Sequence, residues 1–141
     1  MQVLLLSLLV ALLGTGAAVN AEPVVVVNAA STTQQLRQDE VINIFLGRYR
    51  SLPSGGGAVP IDQPESSALR AEFYRRLVNK ELNQINAYWS RLIFSGRKSP
   101  PLQASSASEV IQLLVANPGG VAYVERSQVD KRFRIVLEFP R

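Results

Sequence analysis

Two adjacent hydroxyls, Ser66 and Ser67, stand immediately before a stretch in which Leu69, Phe73 and Leu77 recur every four residues. That spacing places the three apolar residues on one stripe of a helix. A helix N-terminus exposes unpaired backbone N–H groups and the positive end of its macrodipole, and hydroxyls beside it add further donors. A phosphate or sulfate oxyanion could be held there without a metal, and the plainer role for either serine is the helix N-cap. Other chemistry is narrowed by what is missing. The chain has no histidine and no cysteine, which removes imidazole bases, His-ligated metals, thiolate zinc sites, iron–sulfur clusters and disulfides. No cofactor and no metal is expected. Gly55-Gly56-Gly57 lacks the Lys and Ser/Thr of a phosphate loop. The carboxylate pairs Asp39/Glu40 and Asp62/Glu65 read as helix-start or loop residues. A serine–lysine–aspartate hydrolytic set remains open in principle, but nothing singles one out.

The elements that must position these residues follow from periodicity. Val24 to Val27 form an unbroken β-branched run after Pro23, which predicts a strand buried on both faces, the habit of parallel sheets. Asp39 and Glu40 lead into Val41, Ile44 and Phe45, with Gly47 closing a short helix. Residues 52–60 are a glycine-rich loop ending in a brief strand around 58–61. After the serine-led helix, Leu82, Ile85, Trp89, Leu92 and Ile93 predict another, ended by Gly96. Tyr88 and Trp89 read as rim and core of it. Ser106 with Glu109 makes a capping-box signature before Val110, Leu113 and Leu114. Residues 117–120 are a sharp stop and residues 121–124 a strand. Phe133, Ile135, Leu137 and Phe139 then alternate with Arg134 and Glu138, predicting a last strand with one face buried and Val136 as the exception. Residues 99–108 read as a turn-rich loop. The predicted order is β-α-β-α-α-α-β-β, a small two- or three-layer α/β domain.

The 141 residues suit one domain. Residues 1–21 carry no charged side chain, and residues 4–13 are apolar except for Ser7. Ten residues are short of the roughly 20 that span a bilayer. Val19-Asn20-Ala21 offers a peptidase site, so we read residues 1–21 as a cleaved signal peptide and residues 22–141 as the exported, periplasmic domain; an uncleaved anchor is the alternative. The net charge of +4 is concentrated: residues 48–98 hold nine basic and four acidic side chains, and Arg70, Arg75, Arg76 and Lys80 fall on the serine-led helix. This is either a solvated helix face or an anion-attracting surface. Aromatic residues are not interleaved with the basic ones, so nucleic acid is not an expected partner.

Three segments in order carry a resemblance. Ile44-Phe45-Leu46-Gly47 after Asp39-Glu40, residues 60–73 with Ser66-Ser67 followed by Arg70 and Phe73, and Asn117-Pro118-Gly119-Gly120-Val121-Ala122-Tyr123-Val124 together resemble motifs of phosphate-specific substrate-binding proteins of ABC transporters. The resemblance implies a single lobe of a type II periplasmic binding protein, a small mixed sheet flanked by helices. It implies phosphate or a similar oxyanion as ligand, with Ser66, Ser67 and Arg70 as binding residues and no catalytic ones. It also implies an ABC permease or another membrane or periplasmic protein as partner. Where that family carries serine, glycine and threonine, this chain has Ser66-Ser67-Ala68; where it carries an upstream arginine, Asp62, Gln63, Pro64 and Glu65 stand instead. Only about one lobe is covered, and one wall of a cleft encloses little of a ligand. Weak or absent phosphate binding is therefore the expectation. The alternative is a non-transport interaction or sensing module that offers the cleft face to a protein.

Overall fold

A computed structural model describes residues 21–96 and 98–140; the predicted signal peptide falls almost wholly outside them. The described elements are β1 (Pro23–Asn28), α1 (Gln38–Phe45), β2 (Val59–Asp62), α2 (Ala68–Val78), α3 (Leu82–Phe94), β3 (Leu102–Gln103), α4 (Ala107–Ala116), β4 (Gly120–Glu125), a 3-10 turn (Arg126–Gln128) and β5 (Phe133–Glu138). The strands form one mixed sheet in the order β3-β2-β4-β1-β5. Strand β2 runs parallel to β3 and β4, while β1 is antiparallel to both β4 and β5.

The valine run dictates the layering. Val25 and Val27 face one core, with Ile44 and Phe45 of α1, Phe73 and Leu77 of α2, and Ile85 and Trp89 of α3. Val24 and Val26 face the other, against Val110 and Leu114 of α4. All four valines are 0–1 % exposed, and burying each contributes roughly 1.5–3 kcal/mol. Both faces are buried as predicted, but the parallel habit is not followed. An apolar run records that helices cover both faces and is silent on strand direction.

Strand β5 corrects the predicted alternation. Val25 pairs with Leu137 and Val26 with Ile135, so Val136 is the extra residue of a β-bulge. The bulge swaps faces: Phe133 and Ile135 pack with α4, whereas Val136 and Phe139 join the core beneath α1–α3. The odd residue in the sequence pattern marks the irregularity.

A second correction concerns residues 99–108, where Leu102 and Gln103 form an edge strand. Ile61 pairs with Leu102 and Asp62 with Gln103, and the Ala104 N–H donates to the Asp62 carbonyl at 3.0 Å. Two residues with exposed side chains have no periodicity to read, and the preceding Pro100-Pro101 is tolerated at an edge. The third concerns α3. Ile85 and Trp89 are buried, but Ile93 is 54 % exposed.

Candidate functional site

The candidate site is assembled where β2 ends and α2 begins. Strand β2 runs one residue further than predicted, to Asp62, and that residue organises the region. Residues 63–66 then link the strand to α2. Ser67 adopts extended backbone and caps α2, its Oγ accepting from the Arg70 N–H at 3.3 Å. Such a cap contributes about 1 kcal/mol. Ser66 is exposed beside it.

Arg70 lies one turn into α2 and points inward, 4 % exposed. Its guanidinium Nε is 3.2 Å from Asp62 Oδ2 in a buried ion pair. Its Nη1 donates to the Glu65 carbonyl and its Nη2 to Asn86 Oδ1 of α3, each at 3.2 Å. The guanidinium also stands over the Tyr74 ring, 5.4 Å from its centroid. Arg70 therefore does not share a solvated face with the other basic residues of this segment. Arg75 and Arg76 pair with Glu72 on the outside of α2, and Lys80 lies beyond the helix end.

Asp62 receives a full complement of donors. The Gln63 N–H and the Tyr123 hydroxyl donate to Oδ1, and the Tyr74 hydroxyl donates to Oδ2 at 2.9 Å. Gln63 is itself fixed by donating from Nε2 to the Tyr123 carbonyl at 2.8 Å. Burial, reinforced by the Asp62 charge, holds the Tyr74 and Tyr123 hydroxyls well above the usual tyrosine range, so both remain proton donors. The Tyr123 ring stacks on Phe73 at 3.7 Å between centroids, which locks the hydroxyl in place.

Outside this network is a hollow of about 240 Å³. Asp62, Glu65, Arg70, Asn86 and Gln103 supply its polar lining, and Trp89, Ile93, Pro100 and Pro101 its apolar lining. The Trp89 indole Nε1 is buried without a hydrogen-bond partner among the described residues. No group of acidic side chains that could hold a metal ion occurs among the described residues. Of the sequence-derived site residues, Ser67 and Arg70 come together through the cap, Arg70 reaches the hollow, and Ser66 and Ser67 do not line it. Asp62 and Tyr74 were missed as partners of Arg70, and Tyr123 as a partner of Asp62. One signal was available, since Tyr74 follows Arg70 by four residues and so shares its helix face.

The arrangement is a buried cation whose counter-ion is built into the chain. Its arginine is partly committed internally and has a small polar hollow at its outer side.

No protein-family model matches the chain, and no curated protein matches it in sequence. Solved structures do share its fold. A putative phosphate ABC transporter substrate-binding protein from Clostridium perfringens, solved with bound phosphate, superposes with a TM-score of 0.65 at 13% identity over 82% of this chain. An ABC-type phosphate transport receptor from Vibrio cholerae gives 0.63 at 17% identity over 82% of this chain. PstS from Borrelia burgdorferi gives 0.63 at 12% identity over 86% of this chain. The match takes in 44%, 45% and 49% of those chains respectively, so this chain spans less than half of each. Its mixed α/β sheet with flanking helices is thus the fold of part of a phosphate ABC transporter substrate-binding protein.

Proposed function

We propose that the chain is an exported, single-lobe module of the phosphate-binding-protein fold that binds phosphate or a similar oxyanion weakly, through Ser66, Ser67 and Arg70. The observation that carries this reading is the buried Arg70–Asp62 pair. An incoming phosphate must compete for Arg70 with a carboxylate already fixed by two tyrosine hydroxyls and a backbone N–H. It also approaches past the negative charges of Asp62 and Glu65, which line the same hollow. Ser67 has already committed its acceptor to the cap, leaving its hydroxyl proton and the exposed Ser66 as free donors.

Export is supported by the apolar residues 4–13, and no helix among the described residues is long and apolar enough to cross a membrane. Work with an ABC permease is the corresponding partner proposal. Titration calorimetry with inorganic phosphate tests the reading. The expected constant is weaker than micromolar, and a micromolar or tighter one overturns it. Ser67→Ala should abolish whatever heat is seen.

A second reading, an interaction module that presents this face to a protein, is favoured by Trp89, Ile93, Pro100 and Pro101 beside the internally neutralised pair. It gains if phosphate gives no heat at all.

A further inference from the structure

The C-terminal end of α3 departs from the way this chain treats both apolar and basic side chains. Phe94, the last residue of the helix, is 96 % exposed, and Ile93 beside it is 54 % exposed. A phenyl ring exposed to that degree projects from the surface and has no wall of its own to pack on. Sequence around it is basic throughout: residues 91–98 read Arg-Leu-Ile-Phe-Ser-Gly-Arg-Lys, without a carboxylate.

The surroundings agree. Ile93 shares one shallow hollow with Arg50, Lys98 and Pro100. On the other flank of α3, Arg48, Lys80 and Arg91 rim a groove of about 570 Å³ floored by Leu46, Ile85 and Tyr88. Neither hollow contains an acidic side chain. Carboxylates appear in the hollow that Ile93 also lines with Arg70, where Asp62 and Glu65 stand.

Elsewhere most arginines are paired, Arg134 being the exception that donates to the Ala29, Ser31 and Thr33 carbonyls. Arg37, Arg75, Arg76, Arg126 and Arg132 each meet a carboxylate on the surface. Among the described residues, Arg48, Arg50, Lys80, Arg91 and Lys98 enter no ion pair with an acidic group. An apolar projection with the unpaired Arg50, Arg91 and Lys98 on its helix end and in the hollow beside it complements one kind of surface in both respects. An anionic bilayer offers a fluid boundary that accepts a protruding ring and headgroup charge that attracts the cations. A folded protein partner would instead need a preformed pocket for Phe94. Strand extension at the nearby β3 edge is obstructed by Pro100-Pro101, since proline lacks an N–H.

We propose that this end of the molecule docks on an anionic lipid surface, with Phe94 and Ile93 at the headgroup–acyl boundary and Arg50, Arg91 and Lys98 over the headgroups. The inference is independent of phosphate binding, because none of the docking residues except Ile93 lines the Arg70 hollow.

The absence of native cysteine gives a direct test. The full chain carrying Ser95→Cys is labelled with a polarity-sensitive fluorophore and titrated with vesicles of phosphatidylcholine, with or without phosphatidylglycerol. The expected result is a blue shift on phosphatidylglycerol vesicles alone, reversed by high salt because the cation contribution is screened. Adding Phe94→Ser should weaken partitioning roughly ten-fold, the scale for withdrawing one phenyl ring from an apolar phase. The same label at Val115→Cys, on α4 across the sheet, should stay in water. Four results would each overturn the proposal: no binding; binding without a shift at position 95; equal shifts on both vesicle types; or a shift that follows protein concentration without lipid, which would mark an interface between copies of the chain.

Discussion

Arg70 and Arg91 are both helix arginines of the basic central segment, and the fold treats them in opposite ways. Arg70 is folded inward against Asp62, with carbonyl and amide oxygens taking two more of its N–H groups. Arg91 stands on the outside of α3, close in sequence to Phe94, among cations that have no carboxylate partner. The difference lies in what the neighbouring backbone delivers. The end of β2 brings a carboxylate to Arg70, while among the described residues none forms an ion pair with Arg91. A basic residue available to a ligand is therefore identified by its missing partner and not by its position in a charge-rich segment.

The sharpest way to break this contrast is to remove the internal anion. Asp62→Ala leaves a buried guanidinium without its counter-charge, and chemical denaturation should show a loss of about 3–5 kcal/mol. Inorganic phosphate should recover part of that stability in the variant and little in the unmodified chain, because Arg70 then has a vacancy for an anion. If phosphate stabilises both equally, the internal carboxylate is not what weakens binding.

The tyrosines around Asp62 give the next effect. Their raised values mean that the folded chain keeps protons the unfolded chain releases above pH 10. The stability they supply is whole below that pH and falls as pH rises beyond it, by about 1.4 kcal/mol per pH unit for each group. Denaturation midpoints through the alkaline range should show this decline. Tyr123→Phe should flatten it, at a cost of about 1–2 kcal/mol near neutrality from the donor that Asp62 loses.

Much of the architecture was legible because it is written in burial. The valine run, the apolar stripe of α2, the cap at Ser67 and the glycine stop before β4 all appear in the structure where the residues put them. What could not be read depends on contacts distant in sequence. Tyr123 meets Asp62 across 61 positions, and β3 exists only because β2 is beside it. The Asp62–Arg70 pair was closer to hand, eight residues apart. It was hidden because Asp62 read as a loop residue, and one further residue of strand turns it toward α2. The exposed Ile93 shows the converse error, in which correct helical spacing extends past the point where the helix has anything to pack on.

At α3 the contrast predicts a near-silent substitution. Phe94→Ser should change the denaturation midpoint by less than about 0.5 kcal/mol, as for other surface replacements, while still weakening vesicle binding. A large loss of stability would mean the ring packs on something and is not free for a partner.

The smallest effect comes from an aspartate–arginine pair left in water. Arg132 donates to Asp130 from Nε and Nη2, at 3.0 and 2.7 Å, on the turn before β5. Those bonds, helped by the Arg132 backbone N–H, hold the Asp130 carboxyl down at about 2, below its ordinary 3.8. A depressed value stabilises the fold at pH above 3.8 and ceases to do so as pH falls toward 2. Asp130→Asn should therefore differ slightly from the unmodified chain at neutral pH and converge with it through that acid window. Solvent screens both charges, so the neutral-pH difference should be far smaller than that of Asp62→Ala. If the two substitutions cost the same, burial is not what separates the two pairs, and the account of Arg70 as an internally committed cation fails with it.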